Sequence, residues 1–257
     1  LSPGNRLHDR IAQLDGRTAR IAFDQLSGEI HASTATGLLE DSRHVRDAIN
    51  DRLRAAFGET TVRSDPVITY GPDGSFTSTA ADDQGPVFWS IGFGSWSDTD
   101  SDGNAAALER STQGILFGAD ALFLDEWRVG LLGGYSHSSF EAKDRFSQAS
   151  TESYHAGVYA GTVLGGVSLR TGLAFTWHDM ETRRGIDLIG LAEALAADYG
   201  ATNLQAFGEV AYAMDIANIR LEPFANLAHV RLDTGSWRET SGIGPLSGER
   251  GVQGVTF

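Results

Sequence analysis

The sequence predicts an all-β fold, an antiparallel up-and-down transmembrane β-barrel preceded by an α-helical segment. Three observations carry this. The connections between predicted strands alternate short and long, charged side chains stand in mid-strand on one face, and tryptophans gather near strand ends.

The strands come first. From Pro86 onward apolar and polar or small residues alternate with a period of two, the period of a strand with two unlike faces. In 87–94, Val87, Trp89, Ile91 and Phe93 share one face and Phe88, Ser90, Gly92 and Gly94 the other. In 113–123, Ile115, Phe117, Ala119, Ala121 and Phe123 oppose Gly114, Leu116, Gly118, Asp120 and Leu122. In 127–136, Trp127, Val129, Leu131 and Tyr135 oppose Arg128, Gly130, Leu132, Gly134 and Ser136. In 167–178, Val167, Leu169, Leu173, Phe175 and Trp177 oppose Ser168, Arg170, Gly172, Ala174, Thr176 and His178. Further strands are predicted at 151–163, 202–214 and 219–231, with a weaker one at 249–257, which makes eight.

Connections after the second, fourth and sixth strands are tight, at 124–126, 164–166 and 215–218. Those after the first, third, fifth and seventh are long and polar, at 98–111, 139–150, 179–200 and 232–248. Short periplasmic turns and long outer loops produce that alternation. The non-apolar face carries Arg170, Glu209, Arg220 and Glu222 in mid-strand. A dry core rejects such charges unless they are paired, and a wet lumen accepts them. Trp89 and Trp127 fall on the short-turn side and Trp96 and Trp177 on the long-loop side, as two interfacial girdles would require.

The chain before residue 86 is of another kind. Ile21, Phe23, Leu26 and Ile30 outline a helical face that Gly28 interrupts. In 38–57, Val45, Ile49, Leu53 and Phe57 recur every four residues and give one narrow helical stripe. The other faces carry Glu40, Asp41, Arg43, Arg46, Asp47, Asp51, Arg52 and Arg54. Periodicity leaves two readings open, a solvated helix resting on a surface or a helix inside a polar channel. Residues 58–86, with Asp-Pro, Gly-Pro-Asp-Gly and Ser/Thr runs, form a flexible linker.

Composition removes several function classes. The net charge of −14 repels nucleic acid. There is no cysteine, hence no disulfide and no thiolate metal site. No apolar run reaches the ~18 residues of a membrane helix, which leaves membrane strands open. The chain begins with Leu1, without an initiator methionine or signal peptide, so processing or excision is expected.

The candidate chemistry is sparse. Asp98, Asp100, Asp102 and Glu109 match the ligand spacing of an EF-hand calcium loop, but strands flank them where that motif needs helices. His178, Asp179 and Glu181 cluster at a strand end, where hydration explains them better than a metal or acid–base site. Gly134-Tyr135-Ser136-His137-Ser138 lacks the last glycine of a nucleophile elbow. Self-cleavage at Asn50-Asp51 has no supporting pattern around it. No catalytic residue and no cofactor is expected.

Several stretches in fixed order carry a family resemblance. Residues 23–33 resemble the end of the secreted passenger of autotransporters, and 38–54 the helix that follows it. Gly92-Phe93-Gly94-Ser95-Trp96, 177–184, Phe207-Gly208-Glu209 and Leu221-Glu222-Pro223-Phe224 are similar to landmarks of the autotransporter β-domain. The resemblance implies type V secretion: a translocator and anchor in the outer membrane of a Gram-negative bacterium, moving an N-terminal passenger to the cell surface. Its implied partners are the passenger itself, outer-membrane lipid, the barrel-assembly machinery and periplasmic chaperones. The implied division is 1–35 as passenger end, 36–57 as pore helix, 58–86 as linker and 87–257 as barrel. On this mapping Arg43, Arg46, Asp47, Asp51, Arg52 and Arg54 lie on the pore helix, and Arg170, Glu209, Arg220 and Glu222 line the lumen around it. The family barrel has twelve strands, so the eight seen here lead us to expect strands missing after Phe257. From the residues alone, a small outer-membrane barrel that binds at the surface or serves a structural role stays open.

Overall fold

The computed structural model describes residues 9, 11–58, 69–70, 76–77, 86–101, 106–124, 126–188, 191–216, 219–240 and 245–257. Two helices come first, α1 (Gly16–Leu26) and α2 (Glu29–Ala56). Asp15 caps α1, its carboxylate accepting from the backbone amides of Arg17 and Thr18, two of the donors a helix start leaves unpaired. Gly28, with φ of 64°, takes the left-handed turn that ends one helix and begins the next. Glu29 in the first turn and Arg54 in the last complement the α2 dipole. The α2 helix runs unbroken across the 35/36 boundary drawn from the sequence.

Eight antiparallel strands follow: β1 (Val87–Thr99), β2 (Leu108–Phe123), β3 (Trp127–Ala142), β4 (Ser147–Leu164), β5 (Val167–Leu188), β6 (Leu191–Tyr212), β7 (Phe224–Thr234) and β8 (Gly251–Thr256). They form one sheet in chain order, an up-and-down meander. Among the described residues β1 and β8 do not pair with each other, so the sheet is not closed. Among the described residues no helix is long and apolar enough to cross a membrane.

The strands are longer than predicted. β5 and β6 have 22 residues each and are joined across 189–190, so most of the long loop expected at 179–200 is strand. At about 3.3 Å per residue such a strand runs roughly 70 Å, whereas crossing a bilayer takes about 9–11 residues. The hairpins therefore project well beyond one side of the membrane layer. The expected loop at 139–150 is likewise strand, apart from a 3₁₀ turn at Lys143–Arg145. On the other side, the sixth connection is longer than expected and holds a short ladder of Met214–Ile216 with Ile219–Leu221. Strict alternation of loop length is thus not the feature of the fold; one-sided strand extension is. Polar side chains disguise it, because a strand that leaves the membrane keeps its backbone ladder and loses only its apolar outer face.

That outer face marks the membrane layer. Ile115, Phe117, Val129, Leu131, Leu173, Leu204 and Val210 point outward and are exposed. Tyr135, Tyr154 and Trp177 stand side by side across β3, β4 and β5. The next outward positions in β4 and β5 are Glu152 and Asp179, and both are exposed. The stretch 127–135 below that aromatic row has the length of a tilted membrane strand, about 9–11 residues. One of the expected girdle tryptophans needs correction. Trp89 is inside, only 5% exposed, while Trp127 lies half-buried on the outward face of β3 and Trp96 and Trp177 face outward.

The apolar face of β1 also turns inward, burying Val87 and Trp89, while Phe88 faces out. The reason is α2, which lies along the inner face of the sheet and needs an apolar wall. Its stripe of Val45, Ile49 and Leu53 packs with Trp89, Leu116, Leu132, Tyr159, Ala174, Phe207 and Ala228. Contact is close: a Cβ on Gly37 would come within 2.3 Å of a Phe140 ring carbon. Above it, Ala22 of α1 and Ile11 ahead of that helix pack on Ile186 and Leu195 of the β5–β6 extension. Ile21 and Phe23 of the face outlined in the sequence are exposed.

Placing a lipid-quenchable fluorophore singly at 117, 131 and 173 should give strong quenching by brominated lipid, and at 116, 132 and 174 little. The reverse pattern would mean that the register of the sheet against the membrane is inverted.

Candidate functional site: the helix and its inner wall

The inner wall carries charge at two levels near the short-turn side, and α2 supplies the complement. Asp120 on β2 points inward with its carboxylate fully enclosed. Arg52 of α2 grips it with Nε and Nη2, both at 2.7 Å. Arg128 of β3 donates to it at 2.6 Å and the Tyr159 hydroxyl of β4 at 2.7 Å. Trp89 completes the shell by donating its indole N–H to the Tyr159 oxygen at 2.6 Å. Two arginines on one carboxylate leave a local positive excess, and the neighbouring group pairs two arginines with two carboxylates.

There Glu209 of β6 accepts from Arg54 of α2 at 2.6 and 2.9 Å and from Arg170 of β5 at 2.5 Å. Arg170 reaches on to Glu222 at 3.2 Å. Glu222 is not mid-strand as predicted; it lies between the Ile219–Leu221 ladder and β7. The Arg220 side chain, a predicted lumen residue, lies outside the described residues.

Further along the helix, Arg46 donates to Gln205 of β6 at 3.1 Å. Asp41 accepts from Arg110 of β2, from Ser138 at 3.0 Å and from Thr112 at 3.1 Å. Arg43, Asp47 and Asp51, four residues apart, are exposed on a single face of α2. Of the six helix charges singled out in the sequence, then, Arg46, Arg52 and Arg54 meet the wall and the other three do not.

The projecting end holds a third ion-pair group. Glu239 follows the short ladder of Trp237–Arg238 with Ser247–Gly248. It accepts from Arg184 of β5 at 3.0 and 2.5 Å and from the Leu246 amide at 2.8 Å, and its side chain is 1% exposed. His31 of α2 stacks on Trp237 with ring centroids 3.6 Å apart and bonds the Tyr199 hydroxyl at 2.9 Å. Arg184 also donates to the backbone oxygen of Gln25, the residue before the α1–α2 joint, at 2.7 Å. Burial pushes the Glu239 carboxyl up. The hydrogen bonds from His31, Arg184 and the Leu246 amide outweigh it and hold the group at about 2.

Asp120, Arg128, Tyr159, Arg110, Arg184 and Glu239 were not singled out in the sequence, and Asp41 was named only as a helix charge. The signal for Asp120 and Arg128 was present: both sit on the same alternation face as Arg170. The partners of Glu239 and Asp41 lie far away in the chain and leave no local pattern.

Only part of the weak calcium candidate lies in the described residues. Asp98 and Glu109 face each other in the β1–β2 ladder, and Asp102 lies outside the described residues. Glu109 is occupied by Lys143 at 2.5 Å. Strand alternation splits the His178 cluster: His178 is buried and bonds Ser153 at 2.8 Å, while Asp179 and Glu181 face out. Among the described residues no group of three or more His, Asp or Glu is placed to hold a metal.

The comparisons agree with one another. The family model for the autotransporter beta-domain matches residues 88–256. Two extracellular serine proteases of Serratia marcescens are 32% and 31% identical over 240 residues, 93% of this chain but 21% of either protease. The chain thus spans about a fifth of the length of these relatives. In fold it is similar to the translocator domain of the autotransporter NalP from Neisseria meningitidis, with a TM-score of 0.60 at 12% identity over 85% of this chain and 68% of that one. It is also similar to the beta domain of the Bordetella autotransporter BrkA, with a TM-score of 0.50 at 20% identity over 65% of each chain.

The depressed Glu239 acidity sets a pH window. Stability from this carboxylate is complete above its ordinary value near 4.5 and is lost as the pH falls through about 2. Limited proteolysis of the α1–α2 joint should therefore accelerate between those values, and Glu239→Gln should be open already at neutral pH. A joint equally protected at all these values in both proteins would show that Glu239 does not hold it.

Proposed function

The chain belongs to the autotransporter family, as an outer-membrane translocator of an N-terminal passenger, and on that premise we propose that α2 is the plug of the translocation pore and the tether of the passenger. The carrying observation is a 28-residue helix lying along the inner face, with three arginines engaged on wall acceptors. A helix in lipid or in a dry core could not afford those charges. Here the wall answers them one by one.

The work assigned to this chain is non-covalent: insertion, passage of an unfolded polypeptide, then retention of its end. The protease activity named for the Serratia relatives would belong to a passenger, and no catalytic role is assigned to the residues here. The α1 helix, docked on the projecting β5–β6 hairpin, is read as the passenger end held at the cell surface. Long strands with an apolar outer face and unpaired edges are hazardous before insertion. That hazard is the support for barrel-assembly machinery and periplasmic chaperones as partners.

The test is conductance of the native β-domain in a planar bilayer, with and without residues 29–56. Deletion should open a steady pore where the intact protein is nearly closed. Equal conductance in both would place the helix outside the conducting path.

A further inference from the structure

Resting on the translocator reading, we propose that the middle of the inner wall is a low-affinity sliding surface for the passing passenger backbone, and is not shaped chiefly for the resident helix. Between the charged levels near the short turns and the Glu239 group lies a band of another composition. Its rows run Leu116, Gly134, His155, Thr176, Asn203; then Gly114, Ser136, Ser153, His178, Ala201; then Thr112, Ser138, Thr151, Met180, Tyr199. No Asp, Glu, Lys or Arg occurs in these rows. Hydroxyl, imidazole and amide groups dominate them, and each of these can both donate and accept.

The helix uses only part of this band, packing Leu38 and Leu39 on Met180, Tyr199 and Ala201. At its level α2 buries Leu38, Leu39, Ser42 and Val45. The Ser42 hydroxyl is engaged within the helix, by Leu39 and Arg46. Asp41 serves Thr112 and Ser138, and Arg46 serves the Gln205 oxygen. Among the described residues, Thr151 Oγ1, His178 Nε2, Asn203 Oδ1 and Gln205 Nε2 have no hydrogen-bond partner although all four side chains are buried. A wall selected only to seat an apolar helix stripe would replace such groups with apolar ones, since unpaired buried polar atoms destabilise the finished fold.

An extended chain in transit has the opposite need. It presents an N–H and a C=O at every residue whatever its sequence, and both must be answered once water is thinned. Neutral groups that donate and accept can answer any register. A formal charge would trap oppositely charged side chains of the passenger. Conduction through a pore demands this regime, binding strong enough for entry and weak and multiple enough for release.

The test uses the full-length precursor in cells and the double variant Thr151→Val, Asn203→Val, which removes two unpaired groups without large added bulk. Pulse-chase with surface protease should show the passenger arriving several-fold more slowly than in the parent. The purified β-domain of the variant should melt at the same or a higher temperature. An unchanged arrival time would overturn the proposal, as would a lowered melting temperature, which would mean that the groups serve the finished fold. A parent precursor that displays no passenger at all would instead refute the translocator reading on which the proposal rests.

Discussion

A buried carboxylate that faces an arginine from another element constrains both elements, because neither charge tolerates isolation. Asp120 with Arg52, and Glu209 with Arg54, impose that constraint on this fold. The wall strands cannot keep these acids inward without cations; Arg128 and Arg170 supply one for each, with Glu222 as a further acid on Arg170. The helix cannot enter an apolar enclosure without anions. Replacing a buried ion pair by apolar residues is often neutral, whereas removing one partner costs about 3–5 kcal/mol. The pairs therefore say less about strength than about which arrangement is allowed.

Register is what they decide. The apolar stripe of α2 repeats every four residues, so a slide of one turn, about 5.4 Å, would carry Val45 to the place of Ile49 and Ile49 to that of Leu53 with little apolar loss. The positions engaged by the wall, 41, 46, 52 and 54, do not repeat in that way. A one-turn slide would leave Asp120 and Glu209 facing residues of the wrong kind. The ion pairs thus pick one axial position from several that hydrophobic packing alone would accept. The Arg184 and Glu239 group does the same at the projecting end, where it grips the turn at Gly28. Between these fixed points lies the uncharged band, where Asp41 takes Thr112 and Ser138 and several neutral groups stay unengaged by the helix. A translocator has to combine those two properties, letting every segment of a chain pass and stopping one.

Much of this was legible beforehand. Period-two alternation located every strand of the sheet, and the outward residues of β2, β3 and β5 were assigned to the correct face. The stripe Val45, Ile49 and Leu53 was visible, and so were Arg170 and Glu209 as inward charges. The lengths of the strands were not legible, because beyond Trp177 the outer face of β5 becomes Asp179, Glu181 and Arg183 and resembles loop. The inward turn of Trp89 was hidden as well. A tryptophan near a strand end looks the same whether it meets lipid or a helix. Nor did the expectation of a lumen show how fully side chains enclose Asp120, Arg128, Arg170 and Glu209. Partner choice across 68 residues, as between Arg52 and Asp120, has no signature in a single sequence.

Unfolding free energies of the purified domain in detergent test the central claim most directly. The comparison is between Asp120→Leu alone and the triple variant Arg52→Met, Asp120→Leu, Arg128→Met. If the charges act by mutual satisfaction, the single change strands two buried arginines and costs about 3–5 kcal/mol, while removing the whole group costs far less. A triple variant as unstable as the single one would contradict the account, because the arginines would then stabilise the domain without their carboxylate.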